Sequence, residues 1–202
     1  AAVYLEKRFE AVIALFAASA AGGVFVPVNP VLKPEQVRHI LTDCNVRILV
    51  TSLERLKLLQ QELPSCRDLH TVVVTGSKGE SPVIPGIAVV NWHEIDGVKL
   101  SPATIDSDMA AIIYTSGSTG KPKGVVLSHR NLMAGAESVT RYLQNRADDR
   151  ILTVLPLSFD YGLSQLTTAF YAGATNILMN YLLPRDIIRA VDEQQVTGIA
   201  AV

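Results

Sequence analysis

An α/β fold, with mostly parallel sheets flanked by helices, is what this sequence predicts. Three observations carry that expectation. Short β-branched runs alternate with helix-length segments of ten or so residues, which is the rhythm of βαβ units. Glycine and proline punctuate the boundaries between them, as at Gly22-Gly23, Pro34, Pro64 and Gly173. Hydrophobic residues make up 49% of the 202 positions and mean hydropathy is +0.27. That is enough apolar material for a well-buried core, and too much for a disordered chain.

Taken in order, residues 1–5 read as the end of a buried strand. Residues 9–21 read as a helix that is apolar nearly all round, expected to be buried and to stop at Gly22-Gly23. Residues 24–28 form a short strand that Asn29-Pro30 turns. Pro34 suits a helix start, and Val37, Ile40 and Leu41 share one face up to Asp43. A strand follows at 46–50, a helix at 53–63 closed by Pro64, and a β-branched strand at 71–75. Residues 76–104, rich in glycine and proline, read mostly as connection, with Trp92 and His93 as ordinary packing and surface residues. An apolar run at 109–113 comes next. Further on, Ser128 caps a helix reaching about Gln144, and 150–155 is a strand. Residues 158–172 form a helix ended by Gly173, and 174–179 a strand. Pro184 starts a helix through about Gln194, and a last strand begins at Thr197.

Composition also excludes some partners. A net charge of −1 gives no electrostatic reason to expect nucleic acid or an anionic membrane surface. Lys7-Arg8 followed by the apolar residues 11–20 imitates a signal peptide, but Glu6 and Glu10 flank the basic pair. The run breaks at Gly22-Gly23, too short to span a bilayer, so a core helix is the better reading. Cys44 and Cys66 lack any CxxC or Cys/His ligand spacing and fit ordinary thiols of a reducing cytosol. The first residue is not methionine, which leads us to expect a start inside a longer protein.

The chemistry concentrates in Tyr114-Thr115-Ser116-Gly117-Ser118-Thr119-Gly120-Lys121-Pro122-Lys123-Gly124. Glycines let the backbone turn its N–H groups toward one point, hydroxyls add donors, and ammonium groups neutralise phosphate charge. A plain Gly/Ser-rich surface turn is the competing reading, and it leaves both lysines and the Ser/Thr hydroxyls without a purpose. The stretch is not a Walker A loop. That motif needs Ser or Thr directly after its lysine, whereas Pro122 follows Lys121, and Gly117 and Gly120 stand too close together.

The whole stretch resembles the signature loop of the adenylate-forming superfamily: acyl-CoA synthetases, peptide-synthetase adenylation domains and luciferases. The resemblance implies that Thr115, Ser116, Gly117, Ser118, Thr119, Gly120, Lys121 and Lys123 hold the β- and γ-phosphates of ATP. It extends along the chain, from Glu10-Ala11-Val12 through Val26-Pro27-Val28-Asn29-Pro30, to His129-Arg130-Asn131-Leu132 and Ala172-Gly173-Ala174. The fold it implies is part of the large N-terminal domain. The family's Tyr-Gly-x-Thr-Glu motif, ribose-binding Asp, hinge and catalytic lysine have no counterpart here, so catalytic and metal residues are expected outside this chain.

Pro156-Leu157-Ser158-Phe159-Asp160-Tyr161-Gly162-Leu163 matches the family's acyl-pocket motif. Phe159, Asp160 and Gly162 are therefore the expected pocket residues. Many acyl-CoA synthetases carry His where Phe159 stands. Asp160 resembles the Asp with which peptide-synthetase domains hold a substrate amino group, and it equally suits a helix cap. The implied reaction joins a small carboxylic acid to ATP, with magnesium. The acyl-adenylate then passes to a thiol, either CoA or the pantetheine of an acyl carrier protein, in the cytoplasm. An amino-acid adenylation domain, a non-catalytic nucleotide-binding scaffold and a nucleotide-dependent hydrolase are the alternatives.

Overall fold

The computed structural model of the chain describes residues 1–76, 82–97, 104–115 and 122–201. Two compact units divide it, Ala1–Thr104 and Ile105–Val202. The first is built on a five-stranded, wholly parallel sheet in the order β2-β1-β3-β4-β5. Its strands are β1 (Ala2–Tyr4), β2 (Val26–Pro27), β3 (Ile48–Ser52), β4 (Thr71–Thr75) and β5 (Ala88–Asn91). The helices between them are α1 (Phe9–Ala20), α2 (Pro34–Asp43) and α3 (Leu53–Leu59).

The expected alternation of strand and helix holds through this unit, and its departures have local causes. β2 is the edge strand, where Pro27, which has no N–H to donate to a ladder, costs least. Helix α1 is only half buried. Ala11, Ala14 and Leu15 face inward, while Phe9 is 77% and Ile13 53% exposed. Spacing of three and four residues puts one stripe of an apolar helix against the sheet and leaves the rest outward. Helix α3 stops at Leu59, short of Pro64, and a 3-10 turn over Leu63–Ser65 follows. Strand β5 lies inside the segment expected to be connection. Only four residues long between turns, it pairs in parallel from Thr71↔Ala88 to Val74↔Asn91. The core gathers Leu49, Val72 and Val74 of the central strands with Ile40, Leu56 and Leu63, all essentially inaccessible.

The second unit combines a hairpin with a small parallel sheet. β6 (Met109–Thr115) and β7 (Lys123–Ser128) pair antiparallel. β8 (Arg150–Thr153), β9 (Thr175–Leu178) and β10 (Gly198–Ile199) form a parallel sheet in the order β10-β8-β9. Helices α4 (His129–Leu143), α5 (Asp160–Ala172) and α6 (Pro184–Glu193) complete the unit. Leu152, Val154 and Leu155 form its centre, with Ile177, Ile187 and Ala190 against them. Helix α5 ends where Gly173 takes a left-handed conformation, φ 72°, the ordinary use of glycine just past a helix. No helix among the described residues is long and apolar enough to cross a membrane.

Candidate functional site

The expected phosphate loop falls in the sequence between β6 and β7, with Thr115 ending the one strand and Lys123 opening the other. Short apolar runs at 109–113 and 125–127 form two strands, and Thr115 and Lys123 are register partners where the strands meet the connecting segment. Their pairing holds the two ends of the segment 116–122 side by side. Both residues are exposed. Ser116, Gly117, Ser118, Thr119, Gly120 and Lys121 lie outside the described residues. One pair inward, Tyr114 faces Gly124. A Cβ on Gly124 would stand 2.7 Å from Ile112 Cγ2 and 3.4 Å from the Tyr114 ring, so only glycine lets these side chains cross the partner strand.

Strand–loop–strand is a different geometry from the strand–loop–helix of a Walker A site. In that arrangement the loop opens directly onto a helix whose free N–H groups meet the phosphates. Here β7 intervenes, and the N-terminus of α4 is already served. Ser128 Oγ accepts from the Asn131 N–H at 3.1 Å, and Asn131 Oδ1 accepts from the Ser128 N–H at 2.9 Å. The Asp108 and Asp106 carbonyls accept from the N–H groups of His129 and Arg130, at 3.1 and 2.7 Å. Arg130 returns a two-pronged ion pair to Asp106, at 2.8 and 3.0 Å. Its hydrogen bonds and charge hold the Asp106 carboxyl below its ordinary value of 3.8.

The second expected cluster opens α5. Phe159 is the residue before the helix and is 43% exposed; Asp160 is its first helical residue and is also exposed. Asp160 Oδ1 accepts from the Tyr161 N–H at 2.8 Å, and an acidic residue in a first turn is favoured by the helix dipole. Asp160 thus acts from the first turn of α5, after a cap residue, Phe159, that makes no side-chain cap hydrogen bond, and the carboxylate stays in solvent. Gly162 is placed otherwise. A Cβ there would lie 2.1 Å from the Pro156 carbonyl oxygen and 3.0 Å from that of Leu155. Gly162 is buried against backbone and serves close packing of α5 on the segment after β8.

Beside this turn lies a cleft of about 270 Å³, walled by α4, α5 and β10. From α5 it takes Tyr161, Ser164, Gln165 and Thr168, and from α4 Val139 and Leu143. Sequence reasoning missed these positions. The signal was present as a polar stripe at spacings of three, four and seven along a helix that is otherwise mostly apolar.

Comparison with known proteins gives these features a context. The profile of the family described as AMP-binding enzyme matches residues 1–202. Tyrocidine synthase 3 of Brevibacillus parabrevis is 31% identical over 92% of this chain, which covers 3% of that protein. The anthranilate CoA ligase AuaEII, solved with anthranoyl-AMP, superposes with a TM-score of 0.87 at 25% identity, over 98% of this chain and 38% of that one. ATP-bound MatB from Rhodopseudomonas palustris shares the fold, with a TM-score of 0.78 at 22% identity and the same coverage of each chain. The chain thus spans well under half the length of these solved neighbours, and a few per cent of the synthase.

Proposed function

This chain belongs to the AMP-binding enzyme family, and from that premise we propose that the protein carrying it joins a carboxylic acid to ATP and passes the acyl group to a thiol. The hairpin tip closed by Thr115 and Lys123 carries the reading. Its segment holds three hydroxyls, two glycines and Lys121 between strands that fix both ends, and the neighbouring helix terminus is already spent on its own partners. That donor set fits polyphosphate. Thr115, Ser116, Gly117, Ser118, Thr119, Gly120, Lys121 and Lys123 are the residues we assign to the β- and γ-phosphates of ATP.

ATP, with magnesium, supplies the activated α-phosphorus and a pyrophosphate leaving group. The residues of this chain bind and orient the leaving end and neutralise charge as it accumulates there. The magnesium ligands and the catalytic lysine belong, on this reading, to parts of the parent beyond this stretch, whose residues form part of its large domain. CoA or a carrier-protein pantetheine is the acceptor, and the cytoplasm the compartment. The test is acid-dependent exchange of labelled pyrophosphate into ATP by the full-length parent. Lys123→Ala should reduce exchange by roughly 2.7–4 kcal/mol of transition-state stabilisation, the usual cost of losing one such donor, while thermal unfolding stays where it was. Undiminished exchange in the variant would return the loop to an ordinary turn. Release of inorganic phosphate without exchange would point to a hydrolase, and neither activity to a scaffold.

A second reading has its own support. A tripeptide synthetase of Streptomyces viridochromogenes, 30% identical, aligns along 98% of the chain, and Asp160 stands exposed beside Phe159 at the mouth of α5. On that reading the parent activates an amino acid, whose ammonium group pairs with Asp160 through a charge-assisted hydrogen bond worth about 1.5–3 kcal/mol. Asp160→Asn separates the two. A preference for amino acids that collapses in the variant favours the adenylation domain, and equal use of a simple acid by both proteins favours the acyl-CoA ligase. We place the simple acid ahead, because Asp160 already has a local partner in the Tyr161 N–H.

A further inference from the structure

The cleft beside α5 has more hydrogen-bonding capacity than the protein uses. Gln165 is 8% and Thr168 5% exposed. Gln165 Nε2 donates to the Leu152 carbonyl at 3.3 Å, but its Oε1 has no partner among the described residues, and neither has Thr168 Oγ1. Asn145 Oδ1, from the turn after α4, is a third buried acceptor without a donor among the described residues, in a residue that lines the same cleft. Buried polar atoms are nearly always paired, because leaving one unpaired forfeits its hydration with no return. Three such atoms around one cavity mark a place where a donor arrives from outside the chain.

The arrangement of α5 gives that donor an address. Tyr161, Ser164, Gln165 and Thr168 recur at helical spacing on one face, so the cleft runs along the helix for about 10 Å at 1.5 Å per residue. It begins one residue after Asp160, beside the turn where the acid is expected, and its far turn is Thr168. Val139, Leu143 and Ile151 supply apolar wall along the way. We infer that this cleft takes the tail of the activated acid and that Gln165 and Thr168 select a medium-length chain ending in a hydrogen-bond donor. The inference rests on the acid-activating reading above. Its chemistry is that of a sleeve with a wet end: the methylene stem displaces water from apolar wall, and a terminal hydroxyl or amide donates to oxygens that otherwise stay unpaired. Both oxygens are covered in the structure. The Gln165 amide reaches the ligand by turning about its last side-chain bond, whose torsional minimum is broad.

The experiment compares octanoate with omega-hydroxyoctanoate in the full-length parent, by pyrophosphate exchange and by thermal-shift titration of each acid. Wild type should use the hydroxy acid at least tenfold better in kcat/KM and be stabilised by it at lower concentration. Gln165→Leu and Thr168→Val, made separately, should each bring the two acids to parity or favour octanoate. Thr168→Val keeps the side-chain shape, so it remains informative if the glutamine variant folds poorly. Equal use of both acids by wild type, or a preference that survives both variants, overturns the inference while leaving acid activation standing, and assigns the buried oxygens to trapped water. Absence of exchange with any acid sinks the acid-activating reading. In that case stabilisation by the hydroxy acid, lost in Thr168→Val, would still support the cleft as its site, and no stabilisation would dismiss it.

Discussion

Gly162 shows how differently one residue can be read from a motif and from a structure. As part of the acyl-pocket resemblance it is an expected pocket residue. In the fold its Cα sits where any Cβ would be driven to 2.1 Å from a main-chain oxygen of Pro156, and a carbonyl cannot rotate away as a side-chain tip can. Gly162→Ala should therefore displace α5, at a cost of about 3 kcal/mol or more, the upper end for overpacking. Urea unfolding of the parent checks this, and a change below about 0.5 kcal/mol, the ordinary surface range, would mean that the helix can shift freely. Asp160 makes the converse point. Its two readings could not be separated in the sequence, because the same carboxylate serves a helix start and a substrate amine. The 2.8 Å bond from the Tyr161 N–H shows only that the carboxylate has a local partner in the first turn of α5. Gln165 and Thr168 went unread although they lie on a polar stripe, and nothing in the sequence says that their oxygens lack partners, which depends on where β8 and α4 lie.

At the scale of elements, most of the fold was legible because strand and helix differ in period and because proline and glycine mark the ends. Pro34 begins α2, Gly173 ends α5 and Ser128 caps α4, all as expected. The misses are elements too short to show a period, such as β5, and the outward side of α1, whose burial depends on what packs there. The join between elements in the first unit rests on Arg55 of α3. Its guanidinium hydrogen-bonds Glu6 after β1 and the Pro30 carbonyl after β2, and lies 4.7 Å from the centre of the Tyr4 ring. Burial pushes the Glu6 carboxyl up. The hydrogen bonds from Arg55 and from its own backbone N–H, with the charges of Arg55 and Arg8, outweigh this and hold it below its ordinary 4.5. A depressed carboxyl contributes stability that is fully present above the unfolded value of 4.5 and is lost as pH falls through the lower folded value. Partial exposure of Glu6 keeps the effect small. Denaturant midpoints between pH 7 and pH 3 should therefore fall less steeply in Glu6→Gln than in wild type. Parallel slopes would show that Arg55 holds the elements through its packing on Tyr4 and the Pro30 carbonyl alone.

For the molecule as a whole, the decisive quantity is how much of an adenylating site these 202 residues hold. On the proposed reading they supply the phosphate-loop segment and the turn and cleft of α5. The family's adenine, ribose and lysine motifs are not in the sequence, and the chain spans 38% of the ligase solved with anthranoyl-AMP. Catalysis of this kind comes from positioning both reactants and from charge stabilisation at the leaving group, and on that reading the chain has residues for the leaving group and for the tail of the acid but none for the adenosine. Each missing contact of about 1.36 kcal/mol lowers the rate about tenfold, so several together remove turnover. The 202-residue chain, purified alone and first shown to be monomeric and natively packed by gel filtration and near-UV circular dichroism, should form no measurable acyl-adenylate from ATP with octanoate, omega-hydroxyoctanoate or an amino acid. The parent should do so under the same conditions. The isolated chain should still bind inorganic pyrophosphate weakly, and Lys123→Ala should weaken that binding further, because the hairpin that presents the loop lies wholly inside the second unit. Turnover by the isolated chain would mean that the loop and the α5 cleft suffice for adenylation, and would overturn the assignment of the catalytic lysine to another part of the parent.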